Sequence, residues 1–140
     1  MQLLRTSETL WNASRVLFAR WDLSPSQFNV LNLLCLNPDG LSQTDLSRQL
    51  IMHRSNVTGL VDRLEKRGLV TRREVAADRR AYSVVLTAAG TRLLGDILPR
   101  YYEEATRVWD RLPARRAAAL IADLQQLARS AQHVAAKLPR

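Results

Sequence analysis

Several features that define common classes of protein are missing from this sequence. It has a single cysteine, Cys35, so no internal disulfide can form. Its two histidines, His53 and His133, are far apart, and no Cys, His or carboxylate residues have the spacing of metal ligands. A glycine-rich phosphate loop and a nucleophile with a plausible base are also missing. The sequence therefore predicts neither an enzyme nor a bound cofactor.

Long apolar runs are missing as well. No segment is apolar over the length that spans a bilayer, and no signal peptide opens the chain. We therefore expect a cytoplasmic protein without membrane attachment. The chain has 140 residues, of which 46% are hydrophobic, and this suits a single domain over residues 1–140 with a substantial core.

Basic residues outnumber acidic ones, 21 to 13, which gives a net charge of +8. Nine basic and four acidic residues lie between Arg48 and Arg80, so most of the excess falls in under a quarter of the chain. Such an excess indicates an acidic partner, with nucleic acid ahead of an anionic membrane.

The stretch His53–Gly68 has the pattern of a helix with two unlike faces. One face is apolar at positions i, i+3, i+4 and i+7, occupied by Val57, Leu60, Val61 and Leu64. The opposite face carries small polar groups and guanidinium groups, namely Arg54, Ser55, Asn56, Thr58, Gly59 and Arg63. Gly68 is typical of a helix C-terminal cap. This polar face is either solvated surface or the face of a recognition helix that reads base edges in a DNA major groove.

Two helices are predicted before this stretch. Ser24 and Pro25 favour the start of a helix that is apolar nearly all round up to Leu36, so we expect it to be buried. The segment Ser42–Asp45 resembles a capping box, with aspartate in place of the usual glutamate, and predicts a short helix to about Leu50. With the brief connection 51–52, these elements make a helix-turn-helix pattern.

A β-hairpin is predicted directly after the recognition helix. The segments Leu69–Glu74 and Ala81–Leu86 have the β-branched and aromatic content of strands, with a loop at 75–80 between them. A hairpin in this place is the wing of a winged-helix domain, and we assign residues 24–90 to that DNA-binding unit. Thr87 is then a suitable cap for the next helix.

The outer helices share a heptad-like repeat that the central unit lacks. Rows of mainly apolar residues recur every seven positions over residues 3–21, after Thr87, and after Pro113. Pro99 predicts a kink rather than a break, because the repeat keeps its phase across it. We interpret residues 1–23 and 91–140 as dimerisation helices. A two-fold dimer would hold two recognition helices roughly 34 Å apart, one DNA turn, which suits a palindrome.

The predicted fold is therefore mainly α with a small β-hairpin wing: a winged helix-turn-helix domain flanked by long N- and C-terminal dimerisation helices. From about Leu23 to Leu94 the sequence resembles the MarR family of bacterial transcription regulators. The motifs that carry the resemblance are LSPSQF at 23–28, LSQTDL at 41–46, VTGLVDRLEKRGLV at 57–70, DRRA at 78–81 and LTAAG at 86–90. The resemblance implies a homodimer on palindromic double-stranded DNA, usually a repressor.

The resemblance also implies residue roles. The wing arginine of the family enters the minor groove and an aspartate two residues earlier holds it, and these roles fall on Arg80 and Asp78. The predicted DNA-binding residues are Arg54, Ser55, Asn56, Thr58, Arg72, Arg73, Asp78, Arg79 and Arg80. At least one of Arg72 and Arg73 is expected to meet phosphate. The neighbouring cations Arg63, Lys66 and Arg67 are expected to be surface charge or partners of Asp62 and Glu65.

Many family members release DNA when a small anionic or phenolic compound binds between the outer helices and the DNA-binding unit. Trp11 and Tyr101 are candidates for such an effector pocket, with ordinary packing as the alternative. We expect Cys35 to be inert packing in an apolar segment rather than a redox sensor. A winged-helix protein-interaction module that does not read DNA is the alternative function.

The sequence departs from the family pattern at three places. His53 stands where serine or threonine commonly caps the recognition helix, and Ile51 stands where glycine is frequent in the turn. Val75 and Ala76 replace a common Asp-Pro pair in the wing. We expect these changes to alter sequence preference without removing the chemistry that DNA binding needs.

Overall fold

A computed structural model describes residues 1–75 and 78–137, with side chains described for 1–74 and 82–137. The chain divides into two compact units, Met1–Pro99 and Arg100–Arg140. The helices are α1 (Gln2–Phe18), a 3₁₀ helix (Ala19–Trp21), α2 (Pro25–Leu36), α3 (Gln43–Leu50), α4 (Arg54–Lys66), α5 (Ala88–Trp109) and α6 (Ala114–Lys137). The strands are β1 (Leu41–Ser42), β2 (Val70–Val75) and β3 (Asp78–Leu86). This order is that of a mainly α winged-helix fold.

Hydrogen-bonding side chains begin three of these helices as the sequence predicts. Ser24 and Gln27 form a full capping box, in which Gln27 N–H donates to Ser24 Oγ at 3.2 Å and Ser24 N–H donates to Gln27 Oε1 at 2.8 Å. Thr87 Oγ1 accepts from Gly90 N–H at 3.1 Å at the start of α5. At α3, Asp45 N–H donates to Ser42 Oγ at 3.1 Å. Asp45 is too short to complete that box and accepts from the Ser42 hydroxyl instead.

The strands form a three-stranded antiparallel sheet in the order β1-β3-β2. The two-residue strand β1 was not predicted, and it pairs Leu41 with Val84 and Ser42 with Ser83. The predicted start of the third strand at Ala81 was wrong, because β3 begins at Asp78, opposite Val75. Main-chain pairing extends the hairpin into charged residues that carry no strand signal. The register shifts between Glu74 and Val75.

The core of the first unit lies where α1, α2, α3, α4 and the sheet meet. Phe18 and Phe28 stack at its centre with ring centroids 4.1 Å apart. Around them lie buried aliphatic side chains, including Val30, Leu31, Leu34, Leu46, Val57, Leu60, Val61, Leu64, Val70, Val84, Leu94 and Ile97. One prediction about α2 was wrong. The helix is not buried all round, because its last turn reaches solvent, where Cys35 is exposed and Leu36 is 71% exposed.

The long helix α5 runs without interruption from Ala88 to Trp109 with Pro99 inside it. The expectation that Pro99 does not break the helix is therefore confirmed. In the second unit, α6 begins where the carbonyl of Pro113 accepts from Arg116 N–H at 2.8 Å, as predicted. None of the described residues of α6 is buried, and its exposed apolar side chains include Leu120, Ile121, Leu127 and Val134.

Candidate nucleic-acid interface

Helix α4 has the two unlike faces that the sequence predicts. Its apolar face is buried in the core through Val57, Leu60, Val61 and Leu64. Arg54, Ser55 and Asn56 are exposed in the first turn, and Arg63 is exposed two turns later. The helix ends at Lys66 with Arg67 as its C-terminal cap, and Gly68 follows in the left-handed conformation at φ 68°, the expected C-terminal signal. The polar face is therefore free to meet a partner.

His53 caps this helix in place of the usual serine or threonine. Its Nδ1 accepts from Ser55 N–H at 3.4 Å and lies 2.8 Å from Ser55 Oγ. The first turn of α4 thus starts on an imidazole that hydrogen-bonds the helix backbone.

The turn before His53 is strained. Ile51 has φ 53°, the left-handed region that β-branched residues rarely adopt, and its side chain is 93% exposed. This is the position where the family frequently has glycine. The strain is offset in part by hydrogen bonds across the turn, in which Ser47 Oγ donates to the carbonyl of Met52 at 2.6 Å.

Thr58 connects the two helices of the helix-turn-helix. Its hydroxyl lies 3.0 Å from Gln43 Oε1 of α3 and 3.1 Å from the carbonyl of Arg54. The side chain is half-buried, and its hydroxyl hydrogen-bonds within the protein. Gln43 was missed by the sequence analysis, and no local pattern points to it, because its partner lies on another helix.

Arg72 has intramolecular partners. Its guanidinium binds both Asp62 and Glu65 of α4, and its backbone N–H donates to Glu65 Oε1 at 3.0 Å. Burial opposes the charged guanidinium, but the hydrogen bond to Asp62 and the charges of both carboxylates outweigh it and raise the pKa of Arg72 above its usual range. With its side chain 25% exposed, Arg72 holds the wing to α4. The expected phosphate contact therefore falls on Arg73, which is exposed.

Arg67 is a surface residue, as one alternative expects, but its predicted pairing with Asp62 or Glu65 was wrong. Arg67 reaches back to the corner before α2, where its guanidinium donates to the backbone carbonyls of Trp21 and Asp22. The two acidic residues of α4 are taken by Arg72, which the strand brings within reach. Arg63 and Lys66 are exposed, as the surface-charge alternative expects.

The predicted wing contacts Asp78, Arg79 and Arg80 lie outside the described side chains. Their backbone belongs to β3 and therefore to the hairpin that follows α4. Their roles stay predictions from the resemblance.

The two candidates for an effector pocket, Trp11 and Tyr101, lie in different units. Trp11 is exposed on α1. Tyr101 packs against Tyr102 with ring centroids 5.4 Å apart. A cavity of about 350 Å³ in the first unit is lined by other residues, namely Arg15, Ala19, residues 22–25 and Gln27. The assignment of Trp11 and Tyr101 to a pocket stays a prediction.

Among the side chains described, those of residues 1–74 and 82–137, no three His, Cys, Asp or Glu residues are placed to hold a metal ion. Within residues 1–75 and 78–137, no helix combines the length and the apolar character needed to cross a membrane.

The fold and the exposed face of α4 define a winged helix-turn-helix protein, and comparison with known proteins gives its family. The family model described as "MarR family" matches residues 21–81. The transcriptional repressor CouR, in a structure bound to a 23-mer DNA duplex, is 30% identical, with a TM-score of 0.81 over 91% of this chain and 89% of that one. The chain belongs to the MarR family.

A second structure of CouR and one further relative extend the comparison. CouR from Rhodococcus jostii RHA1 bound to p-coumaroyl-CoA is 28% identical, with a TM-score of 0.83 and coverage of 91% and 89% of the two chains. The transcriptional repressor YetL of Bacillus subtilis is 34% identical over 94 residues, which are 66% of this chain and 56% of that protein. The matches to the first curated relatives span 56 to 64% of those proteins' own lengths.

Proposed function

We propose that this protein is a sequence-specific DNA-binding transcription regulator, a homodimeric repressor that acts on a palindromic operator. The observation that carries the proposal is the division of α4 into a buried apolar face and an exposed face bearing Arg54, Ser55 and Asn56. Guanidinium and amide groups are the side chains that pair with base edges in the major groove. A relative of similar fold, CouR, is a repressor with a structure on duplex DNA.

The electrostatics support the same proposal. The chain carries a net charge of +8, and its basic excess is concentrated between Arg48 and Arg80, the segment that holds α4 and the hairpin. Positive charge of this kind supplies the salt-dependent, sequence-independent part of DNA affinity. Arg54, Arg63 and Arg73 are exposed within this segment and available for phosphates or bases.

The proposed dimer is supported by apolar side chains that a single chain leaves in water. Leu3, Leu4 and Val16 of α1 are exposed. In the second unit, Leu127 and Val134 of α6 are exposed as well. Long helices that present apolar rows bury them against another copy, and two-fold symmetry is the commonest arrangement.

Release from DNA by a small molecule is a further part of the proposal. CouR has been captured with p-coumaroyl-CoA, a compound with aromatic and anionic groups. We propose an aromatic or anionic effector for this protein on that likeness, with Trp11 and Tyr101 as the residues to test first.

The deciding experiment is selection of bound sequences from a random duplex pool near physiological salt. We expect an enriched palindrome with half-sites about ten base pairs apart. Asn56→Ala should change or lose the enriched bases, whereas Asn12→Ala, the same substitution on α1, should leave them unchanged. Binding without enrichment would contradict sequence-specific recognition. Absence of binding by folded protein would favour a protein-interaction module instead.

A further inference from the structure

Arg67 joins the end of the recognition helix to the corner between α1 and α2. Its Nη2 donates to the carbonyl of Trp21 at 3.1 Å, and its Nη1 donates to the carbonyl of Asp22. The Asp22 carboxylate lies 3.9 Å from Nη1 and is almost fully exposed, so the two carbonyls are the main partners. The Arg67 side chain is 32% exposed and reaches across 45 residues of sequence.

The corner that Arg67 reaches is the end of a helix. The 3₁₀ helix that continues α1 closes with Asp22 in the left-handed conformation at φ 53°. Asp22 N–H donates to the carbonyl of Ala19, and Leu23 N–H donates to the carbonyl of Phe18. Trp21 is the last residue of this 3₁₀ helix and Asp22 is its C-terminal cap, so their carbonyls lie where helix ends carry partial negative charge. A planar guanidinium satisfies both of them at once.

Backbone hydrogen bonds also fix Arg67 at its own position, the C-terminal end of α4. Arg67 is the C-terminal cap of α4, and its backbone N–H donates to the carbonyl of Arg63 at 3.3 Å. Gly68 then turns the chain, and Leu69 N–H returns to the carbonyl of Leu64 at 3.0 Å. Since α1 packs on α2 and α2 packs on α4, the Arg67 side chain braces an angle that these packed helices already define.

We propose that Arg67 is a positioning residue that sets which half-site spacing the dimer accepts. The inference rests on the proposed function, in which α4 occupies a half-site and α1 contributes to the dimer. In a two-fold dimer, a rotation of α4 relative to α1 occurs in both protomers. Each protomer then contributes an equal change to the distance between the two recognition helices. Arg67 restricts that rotation by holding the C-terminus of α4 to the C-terminus of the α1 segment.

The test uses the full chain and duplexes that carry the selected palindrome. The centre of the palindrome is lengthened or shortened by one and two base pairs, and a further duplex carries a single half-site. Arg67→Met keeps the aliphatic stem and removes the donors. Arg67→Lys keeps the charge but cannot hold both carbonyls in one plane. Lys66→Met is the matched control, because it removes one charge from an exposed neighbour on the same helix.

We expect the wild-type protein to prefer one spacing at least tenfold. Arg67→Met should bind the best duplex at least tenfold more weakly, bind the half-site within twofold of wild type, and discriminate spacings less than threefold. Arg67→Lys should lie between the two, and Lys66→Met should keep the wild-type preference. A merely structural loss would weaken binding to every duplex equally and would leave the preference for spacing unchanged.

Three results would overturn the inference. The first is a wild-type spacing preference retained by Arg67→Met. The second is an equal loss on all duplexes, including the half-site, from a variant with a normal thermal transition. If Arg67→Met lacks a cooperative transition, Arg67→Lys is judged by the same two criteria. The third is a wild-type protein without any spacing preference, a result that also counts against the proposed dimeric function, whereas the first two leave that function standing.

Discussion

Arg72 holds Glu65 with both its main chain and its side chain. The backbone N–H of Arg72 donates to one carboxylate oxygen of Glu65 at 3.0 Å, and the guanidinium binds the other. The same guanidinium also binds Asp62, one turn earlier on α4. Recognition helix and wing are therefore fixed to each other at the base of the hairpin. A change in the angle of α4 would carry the wing with it.

Because Arg72 has these partners and Arg73 is exposed, the two adjacent arginines should differ in their effect on stability. Arg72→Ala should lower the free energy of unfolding by about 1 to 2 kcal/mol, because two carboxylates lose a partly buried charged partner. Arg73→Ala removes the same charge from an exposed side chain and should change stability by less than about 0.5 kcal/mol. Urea unfolding measures both. Arg73→Ala should instead weaken DNA binding and reduce its salt dependence. Equal stability of the two variants would contradict the assignment.

Gly59 is a half-buried residue inside α4, where alanine would be the better helix former. An ideal Cβ built there comes no nearer than 3.5 Å to Arg63 Nη1, so the protein has room for it. Gly59→Ala should raise the free energy of unfolding by about 0.5 to 1 kcal/mol. It should also weaken operator binding about tenfold, because a methyl group enters the proposed DNA-facing surface. Unchanged affinity would place Gly59 away from DNA.

Gly90 is needed for packing. An ideal Cβ at this position would lie 2.1 Å from the carbonyl oxygen of Leu69, a backbone atom that cannot move aside alone. Gly90→Ala should lower the free energy of unfolding by about 2 to 3 kcal/mol. Gly95→Ala, in the same helix, meets nothing within 4 Å and should be neutral or stabilising. Thermal unfolding of the two variants side by side checks this, and similar midpoints would refute it.

The dimer is tested through α6. Leu127 is 61% exposed, and a glutamate there would place charge in the proposed interface. Leu127→Glu should sediment as a monomer at micromolar concentration and lose operator affinity. Gln126→Glu adds the same charge at the adjacent position and should remain a dimer. A stable, folded wild-type monomer at micromolar concentration would exclude the proposed two-fold arrangement.

The wing is tested through Arg80. On the family resemblance, Arg80→Ala should weaken DNA binding at least tenfold and leave the dimer intact, because a narrow minor groove attracts arginine. Arg115→Ala removes the same charge from α6 and should cause a much smaller loss. Fluorescence anisotropy on one operator measures both. If Arg80→Ala binds as tightly as wild type, the assigned role is wrong.

The recognition helix could be predicted because its information is local. The spacing of Val57, Leu60, Val61 and Leu64 specifies a helix and its buried face, and Gly68 marks its end. The caps at Ser24 and Thr87 are local in the same sense. Helix signals of this kind involve residues within one or two turns of each other.

The features that the sequence analysis missed depend on contacts between distant segments. The pairing of Arg72 with Asp62 and Glu65 requires the strand to fold back along α4. The carbonyl partners of Arg67 lie before α2, and β1 exists only because β3 pairs with it. Cys35 was expected among buried residues, but the composition of α2 does not show where the helix leaves the core.

Ser42 takes part in the sheet and in a helix at the same time. Its backbone pairs with Ser83 of β3, and its hydroxyl caps α3. The first helix of the helix-turn-helix, α3, is therefore capped by a residue whose position depends on β3, a strand about 40 residues further along the sequence. Non-local contacts of this kind slow folding and make it cooperative. We therefore expect the helix-turn-helix to form together with the wing. In a chain that ends before β3, the helix-turn-helix should remain unfolded.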